Sequence, residues 1–230
     1  MRVVLLRHGE TDRNAADRFQ AQADIPLNDE GTRQAQLAAR SLPATGWAAV
    51  YSSPLSRAAQ TAAYAAGRLD VPHHRVEGLR ERHLGTLDGL HRAEFARRHP
   101  DTMRRLLTDP AYAPPGGESG HAALARFGTA LHQVVTAEPA AALVLVVAHG
   151  GVLNLLTRAL AAGCDDLPDV LVGTCRAVCL DTEWTPEGRP RVALRRWDVA
   201  PQECAEPRHT PAPLPFVDLD DLTVKEVTRT

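Results

Sequence analysis

The 230-residue sequence is poor in aromatic residues, lysine and net charge. Aromatic residues make up 4% of the chain, which argues against a protein that binds nucleic acid by base stacking. A net charge of −2 gives no electrostatic reason to expect a nucleic acid or an anionic membrane as partner. Lys225 is the only lysine. An arginine-rich set of cations suits phosphate recognition, although we attribute it mainly to codon bias.

Cysteine and long apolar runs are also scarce. The cysteines are Cys164, Cys175, Cys179 and Cys204. They form no C-x-x-C pair, so we expect buried or free thiols in a reducing cytosol. No apolar run approaches the roughly 18–20 residues that span a bilayer. Met1 and Arg2 lead directly into an apolar segment, so we expect no signal peptide and a soluble, cytoplasmic protein without a membrane partner.

Strand and helix patterns alternate along most of the chain. Apolar runs predict strands over 2–6, 47–52, 71–77 and 143–148, and a β-hairpin over 176–183 and 191–198. Helices are predicted over 28–41, 55–68, 90–107, 120–137 and 152–162. The alternation predicts an α/β three-layer sandwich, with helices covering both faces of a mostly parallel central sheet.

Two of the predicted strands end in a histidine followed by glycine. The first strand runs into Arg7-His8-Gly9-Glu10-Thr11, and the strand over 143–148 runs into His149-Gly150-Gly151. Ligands of open α/β sheets bind at the carboxyl ends of strands, so both imidazoles can share one crevice. A neutral His8 can attack phosphorus if one ring nitrogen donates to a backbone carbonyl, and Gly9 permits close backbone approach. Taken alone, the first segment is also compatible with an ordinary strand end.

Two further segments carry charged groups at the starts of loops and helices. Arg57 lies in the first turn of the helix over 55–68, where the helix dipole disfavours a cation. A bound dianion would resolve that conflict, and a solvated surface arginine is the alternative. The glycine-punctuated loop 79–89 contains Glu81 flanked by arginines.

These four motifs, in this order, resemble the histidine phosphatase superfamily, in the branch of the phosphoglycerate mutases and related small phosphatases. The resemblance extends to about Val199 and implies a phosphoglycerate mutase-like fold. It divides the chain into a histidine phosphatase domain, 1–199, with a lid over about 90–120, and a tail, 200–230. The proline-rich, acidic tail could wrap the domain, support a dimer or be partly disordered.

The resemblance implies a role for each matched residue. His8 is the nucleophile and becomes a phosphohistidine, while Arg7, Arg57 and His149 bind the phosphoryl oxygens. Glu81 must be protonated to donate to the leaving oxygen and ionised to activate the water. The other residues expected to bind phosphate or substrate are Thr11, Asn14, Gly150, Arg82, Glu118 and Ser119. No metal or organic cofactor is expected. The expected partner is a small phosphorylated metabolite, and a homodimer is allowed because dimers are common in the family.

The lid bears on whether the reaction is hydrolysis or a mutase reaction. Mutases of the family carry a tyrosine where this chain has Leu84. They also carry an arginine pair that falls at Thr108-Asp109, a few residues after Arg104-Arg105, whereas Arg92 matches a basic lid position of the mutases. The run 114–119 resembles the P-x-G-G-E-S loop of the phosphatases. Here Glu118 and Ser119 could orient water or cap phosphate, although Ser119 is equally suited to a helix N-cap.

We predict a metal-independent phosphomonoesterase, with a phosphoglycerate mutase as the alternative and a non-catalytic phosphate-binding protein less supported. Broad-specificity, α-ribazole and glucosyl-3-phosphoglycerate phosphatases share these motifs. The lid should set substrate choice. Its larger apolar side chains could form a pocket wall or, as we favour, the core of the lid; they are Phe95, Met103, Leu106, Leu107 and Tyr112.

Other enzyme classes fit the sequence less well. An α/β-hydrolase needs a G-x-S-x-G elbow after a strand, and the nearest run, 116–120, lacks that spacing and follows prolines. A P-loop motif is absent. The remaining histidines show no zinc-type spacing.

Overall fold

The computed structural model describes residues 1–140, 142–161, 172–204 and 215–223. Its strands are β1 (Arg2–Arg7), β2 (Trp47–Ser52), β3 (His73–Arg75), β4 (Leu143–Ala148), β5 (Ala177–Trp184), β6 (Pro190–Val199) and β7 (Val217–Asp218). Its α-helices are α1 (Asp12–Ala15), α2 (Asp29–Ser41), α3 (Ser56–Leu69), α4 (Arg92–Arg98), α5 (Pro100–Thr108), α6 (Gly120–Ala137) and α7 (Gly150–Leu160). Short 3₁₀ helices cover Glu77–Leu79, Gly85–Leu87, Pro201–Cys204 and Asp220–Thr223.

The strands form one sheet in the order β3-β2-β4-β1-β5-β6-β7. The pairs β2–β3, β2–β4 and β1–β4 are parallel. The hairpin β5–β6 joins the sheet antiparallel to β1, and β7 extends it antiparallel to β6. The predicted three-layer α/β fold is confirmed. The sheet is more mixed than expected, because the hairpin and β7 enlarge its antiparallel half.

Alternate residues of β1 face opposite sides of the sheet. Val3 and Leu5 belong to a core with residues of α6 and α7. Val4 and Leu6 belong to a second core, which includes buried alanines of α2 and α3. All four side chains are 0–1% exposed. A strand covered on both faces therefore needs the continuous apolar run that the sequence displays.

Two predicted elements differ from those observed. The single helix expected over 90–107 is two helices, because Pro100 has no N–H to continue the first helix and instead begins α5. The strand expected over 71–77 is limited to β3, since the chain turns into a 3₁₀ helix at Glu77. The other predicted strands and helices agree with the described residues within about two positions, and Ala162 lies outside them.

The described parts of the tail pack against the domain. Leu219 and Leu222 are buried in the same core as residues of α6. Cys204 forms a disulfide with Cys179 of β5, with their Cα atoms 5.4 Å apart. The expectation of thiols is therefore wrong for this pair. The two residues are 25 positions apart, and only the fold brings them together.

The remaining two cysteines are Cys175 and Cys164. Cys175 is a half-buried free thiol, and burial raises its pKa to about 12. Cys164 lies outside the described residues.

Among the helices of the described residues, none has the length and apolar character needed to cross a membrane.

Candidate active site

The register of two neighbouring strands places His8 beside His149. Arg7 at the end of β1 pairs with Ala148 at the end of β4, and each histidine is the first residue after its strand. The backbone N–H of His8 donates to the Ala148 carbonyl at 3.1 Å. The two imidazole rings meet edge to face, with centroids 5.2 Å apart. The predicted shared crevice is thus present at the carboxyl edge of the parallel strands.

His8 is held in one orientation and one tautomer. Its Nδ1 lies 2.6 Å from the Gly9 carbonyl oxygen, which can only accept, so Nδ1 carries the proton. Burial lowers the pKa of His8 well below its ordinary 6.5, and the nearby Arg57 and Arg7 cations lower it further. The ring is therefore neutral, and Nε2 keeps its lone pair. Arg57 donates its Nε–H to that atom at 3.2 Å.

His149 is fully buried, yet neither of its ring nitrogens has a hydrogen-bond partner within the described structure. Burial lowers its pKa well below 6.5, and the Arg57 cation contributes in the same direction. Buried polar atoms without partners are costly and uncommon. Their presence beside His8 indicates a place where a polar ligand completes the hydrogen bonding.

Arg57 is enclosed by the loop that precedes α2. Its side chain is 0% exposed, and its two terminal nitrogens donate to the carbonyls of Ala21 and Ala23, each at 2.8 Å. The alternative of a solvated surface arginine is therefore wrong. Burial lowers the pKa of Arg57 to about 10, an effect that the carboxylates of Glu81 and Asp24 oppose.

Asp24 also supplies the cap that α3 lacks. The residue preceding this helix, Leu55, has no side-chain acceptor, and the Asp24 carboxylate accepts from the backbone N–H of Ser56 at 2.6 Å and from its hydroxyl at 2.9 Å. These bonds lower the pKa of Asp24. The Asp24 carboxylate and the carbonyls of Ala21 and Ala23 therefore offset the unfavourable position of Arg57 at the helix N-terminus, even before an anion binds.

Arg7 directly precedes His8, at the end of β1. It donates one N–H to the Val172 carbonyl at 2.7 Å, while its Nε is buried and lacks a partner in the described structure. Burial lowers its pKa, and the Glu81 carboxylate opposes that shift. An N–H group of this cation therefore remains available for an anionic ligand.

The carboxylate of Glu81 sits at the N-terminus of α7. Its Oε1 accepts from the N–H groups of Arg82 at 2.8 Å and Val152 at 2.9 Å, and its Oε2 accepts from Gly151 at 2.8 Å. A Cβ on Gly151 would lie 2.6 Å from Oε1, so this approach requires glycine. Helix N-termini favour negative charge, and the three N–H donors fix the orientation of the carboxylate.

One pocket of about 130 Å³ contains most of the predicted site. The predicted residues that line it are Arg7, His8, Asn14, Arg57, Glu81, Arg82 and Gly150. The other lining residues are Arg18, Phe19, Gln20, Ala21, Leu84, Arg92, Leu106, Leu107, Gly151, Asn154 and Leu155. Sequence reasoning missed the loop Arg18–Ala21, because neither apolar periodicity nor a charged motif marks it. The positive φ of +36° at Ala21 cannot be foreseen from an alanine.

Several predicted residues have other positions or other partners. Thr11 is fully buried beneath the pocket, where its hydroxyl contacts Asn14 and Gln20. Ser119 is the N-cap of α6, as the alternative interpretation expected. Neither Ser119 nor Glu118 lines the pocket. Arg82 does line the pocket, but its guanidinium donates to backbone carbonyls of the protein.

Arg82 donates to three backbone carbonyls of the lid. These are Leu106 at 3.2 Å, Tyr112 at 2.5 Å and Glu118 at 3.1 Å. The side chain thus ties the lid to the Glu81 loop, and its role in phosphate binding stays a prediction. Both expectations for the apolar lid residues hold in part. Leu106 and Leu107 line the pocket, whereas Phe95, Met103 and Tyr112 pack with Leu106 in the lid core.

Comparison with known proteins identifies the family. Residues 3–195 match the model of the histidine phosphatase superfamily, branch 1. The chain belongs to this superfamily. The family predicted from the four motifs is therefore confirmed.

Relatives of this chain include proteins named for phosphatase activity. A metal-independent phosphoserine phosphatase of Arabidopsis thaliana is 38% identical over 169 residues, 70% of this chain and 71% of the relative. The solved structure of a mycobacterial glucosyl-3-phosphoglycerate phosphatase has a TM-score of 0.74 and 32% identity, covering 86% of this chain and 98% of that chain. A bifunctional protein of Mycobacterium tuberculosis is 40% identical over 164 residues, 70% of this chain. The chain spans only 45% of that relative's length.

Proposed function

We propose that this protein is a metal-independent phosphomonoester hydrolase that works through a phosphohistidine on Nε2 of His8. The observation that carries the proposal is the orientation of this ring: Nδ1–H donates to the Gly9 carbonyl, so the lone pair lies on Nε2, where the Nε–H of Arg57 approaches it at 3.2 Å. A neutral imidazole fixed in this way is an activated nucleophile. The named phosphatases among its relatives support the same activity.

In the first half-reaction, Nε2 attacks the phosphorus atom while the bond from phosphorus to the ester oxygen breaks. The ring becomes cationic, and the Gly9 carbonyl that accepts Nδ1–H stabilises that charge. Glu81, protonated at this stage, gives its proton to the departing oxygen, so the alcohol leaves neutral. Protonation also weakens the bonds from Gly151 and Val152 to this carboxyl group, which frees it to face the leaving oxygen.

In the second half-reaction, water attacks the phosphohistidine. The ionised Glu81 takes a proton from the water, a new P–O bond forms, and the N–P bond breaks. Nε2 recovers its electron pair, and inorganic phosphate is released. Since Glu81 alternates between the two protonation states, each turnover returns the site to its starting charge.

Positive and polar groups around Nε2 would stabilise the charge on the transferring phosphoryl group. The Nε of Arg7 and the ring nitrogens of His149 are buried and have no protein partner in the described structure. A charge-assisted hydrogen bond contributes roughly 1.5–3 kcal/mol. Together with Arg57 these groups would supply several such bonds, provided that they bind the transition state more tightly than the substrate.

A mutase reaction is less well supported by the lid. Neither Arg104 nor Arg105 lines the pocket; they form ion pairs with Asp101 and Asp109, respectively. The apolar Leu84 does line it. A second acidic group of a bisphosphate would thus lack the arginine pair of the mutases.

For the substrate we propose a small phosphorylated metabolite that carries a second acidic group. Arg18 and Arg92 line the same pocket as Arg57, and Nε of Arg92 is buried without a hydrogen-bond partner in the described structure. We further propose a cytoplasmic location.

The test is phosphate release from a panel of phosphomonoesters, with and without a carboxylate, in the presence of a metal chelator. An assay that interconverts 3- and 2-phosphoglycerate with bisphosphate primer runs beside it, and His8→Ala is the control. We expect metal-independent phosphate release that His8→Ala abolishes. Mutase turnover with little phosphate release, or anion binding without either activity, would contradict the proposal.

A further inference from the structure

The loop that carries Glu81 is fastened by an arginine of α6. Arg126 donates Nη1–H groups to the carbonyls of Gly78 at 2.8 Å and Arg80 at 2.9 Å. Its Nη2 donates to the carbonyl of Glu81 at 3.2 Å and to the carboxylate of Glu118 at 2.6 Å. One guanidinium therefore contacts three backbone carbonyls within four consecutive residues.

Glu118 completes the clamp from the other side. The oxygen that accepts from Arg126 also accepts from the backbone N–H of His83 at 2.8 Å. The Glu81 carbonyl receives a second bond, from Nε2 of Gln22 at 2.8 Å. Both charged side chains are largely covered, at 25% exposed for Arg126 and 20% for Glu118. The clamp, Arg126 with Glu118, thus fixes the backbone on both sides of Glu81.

The clamp does not face the substrate. Neither Arg126 nor Glu118 lines the pocket, so neither has a direct contact to offer to a phosphoryl group. Its bonds are directed instead to the backbone of the loop whose side chain must reach the leaving oxygen. Proton transfer needs the donor within hydrogen-bond reach of that oxygen. A misplacement of about 1 Å at a reacting group can cost roughly 100-fold in rate.

We propose that Arg126 and Glu118 are positioning residues, which hold Glu81 where it protonates the leaving oxygen. This inference rests on the proposed phosphatase activity. The clamp then matters only when the leaving oxygen needs a proton. An aliphatic alcohol leaves poorly as an alkoxide and depends on Glu81, whereas p-nitrophenolate leaves without protonation.

The test compares kcat/KM for p-nitrophenyl phosphate and β-glycerophosphate in Arg126→Met and the wild type. This ratio covers only the steps up to release of the alcohol, so later hydrolysis of the phosphohistidine does not enter. We expect kcat/KM for β-glycerophosphate to fall about 10- to 100-fold, with little change for p-nitrophenyl phosphate. Glu118→Gln keeps an acceptor for His83 N–H and should produce a smaller loss of the same kind.

The matched control is Arg33→Met, which removes an arginine from an exposed ion pair with Glu30 and should leave both kcat/KM values unchanged. We call kcat/KM for β-glycerophosphate divided by kcat/KM for p-nitrophenyl phosphate the substrate ratio. Adding Arg126→Met to Glu81→Gln should not change the substrate ratio further, because the proton donor is already absent. If Arg126→Met does not fold, Arg126→Lys and Glu118→Gln carry the same comparison. Equal losses for both substrates, or full additivity with Glu81→Gln, would overturn the positioning role.

Failure of the underlying activity gives a different result. If the wild type releases no phosphate from either ester, or if His8→Ala retains the wild-type rate, the proposed function itself fails. If the wild type is active and depends on His8 while the substrate ratio of Arg126→Met is unchanged, only the clamp's role is wrong.

Discussion

The floor of the pocket and its lid hold their side chains in different ways. By the floor we mean three residues that line the pocket, Arg7, His8 and Arg57, together with His149, which is buried beside His8. They lie at the carboxyl ends of β1 and β4 and at the start of α3. Parallel pairing between the two strands fixes its histidines. The lid consists of α4, α5 and residues 109–119.

Within the described structure, the lid has no such strand pairing, and side chains contribute much of what holds it. Arg82 binds three of its carbonyls, and a small apolar cluster centred on Phe95 and Leu106 fills its interior. The larger cores of the sheet do not include these residues. The floor residues, which the sheet fixes, are suited to carrying out the reaction. The residues of the lid can vary without moving the floor, so the lid is suited to selecting the substrate.

Among the changes that leave the nucleophile in place, replacement of Arg57, the fully buried cation of the floor, should have the largest effect. Arg57→Met removes the bond to Nε2 of His8 and a donor to the transferring phosphoryl group. We expect kcat/KM to fall about 10²- to 10³-fold, the usual cost of removing one such donor. Steady-state kinetics on folded protein, verified by circular dichroism, provide the measurement. Activity near that of the wild type would mean that the floor does not depend on Arg57.

Two neighbouring leucines distinguish the core of the lid from its pocket surface. Leu106 is 7% exposed and belongs to the lid cluster, whereas Leu107 is 40% exposed and only lines the pocket. Leu106→Ala should lower the free energy of unfolding, measured with urea, by about 2–5 kcal/mol. Leu107→Ala should change it by less than about 0.5 kcal/mol and act chiefly on substrate preference. Equal losses of stability would show that the lid has no core of its own.

The floor should also make stability depend on pH. Burial lowers the folded-state pKa of His8 and His149 below 6.5, so between these values the unfolded chain binds protons that the folded chain does not. The free energy of unfolding therefore rises with pH up to about 6.5, by at most about 1.4 kcal/mol per pH unit for each histidine. His73, whose pKa burial also lowers, contributes in the same direction.

Denaturation at several pH values between 5 and 7.5 measures this slope. His149→Gln should reduce it by up to about one proton, since glutamine does not titrate. Asp24 does not interfere, because its lowered pKa affects stability only below 3.8. An unchanged slope in His149→Gln would contradict a neutral, buried His149.

The floor was easier to predict from the sequence than the lid. His8 and His149 directly follow apolar strands, so strand patterns were enough to bring them together. Position on a strand says nothing about loops packed from elsewhere. The enclosure of Arg57 by the Ala21 and Ala23 carbonyls, and the use of α7's first N–H groups by Glu81, depend on such contacts.

The lid was harder to predict for the same physical reason. Glu118 lies in a phosphatase-like motif, which suggested a contact with phosphate, yet its carboxylate binds Arg126 and the His83 N–H. The Cys179–Cys204 disulfide also joins distant parts of the chain. Neither arrangement leaves a local pattern in the sequence.

The central claim is that His8 carries the phosphoryl group on Nε2. The most direct measurement mixes the protein with p-nitrophenyl phosphate, stops the reaction in alkali, and locates the phosphoryl group by mass spectrometry and ³¹P NMR. The account predicts one phosphoryl group per chain, on Nε2 of His8, and none in His8→Ala. Phosphate release by the wild type with label on another residue, or on Nδ1, would contradict it.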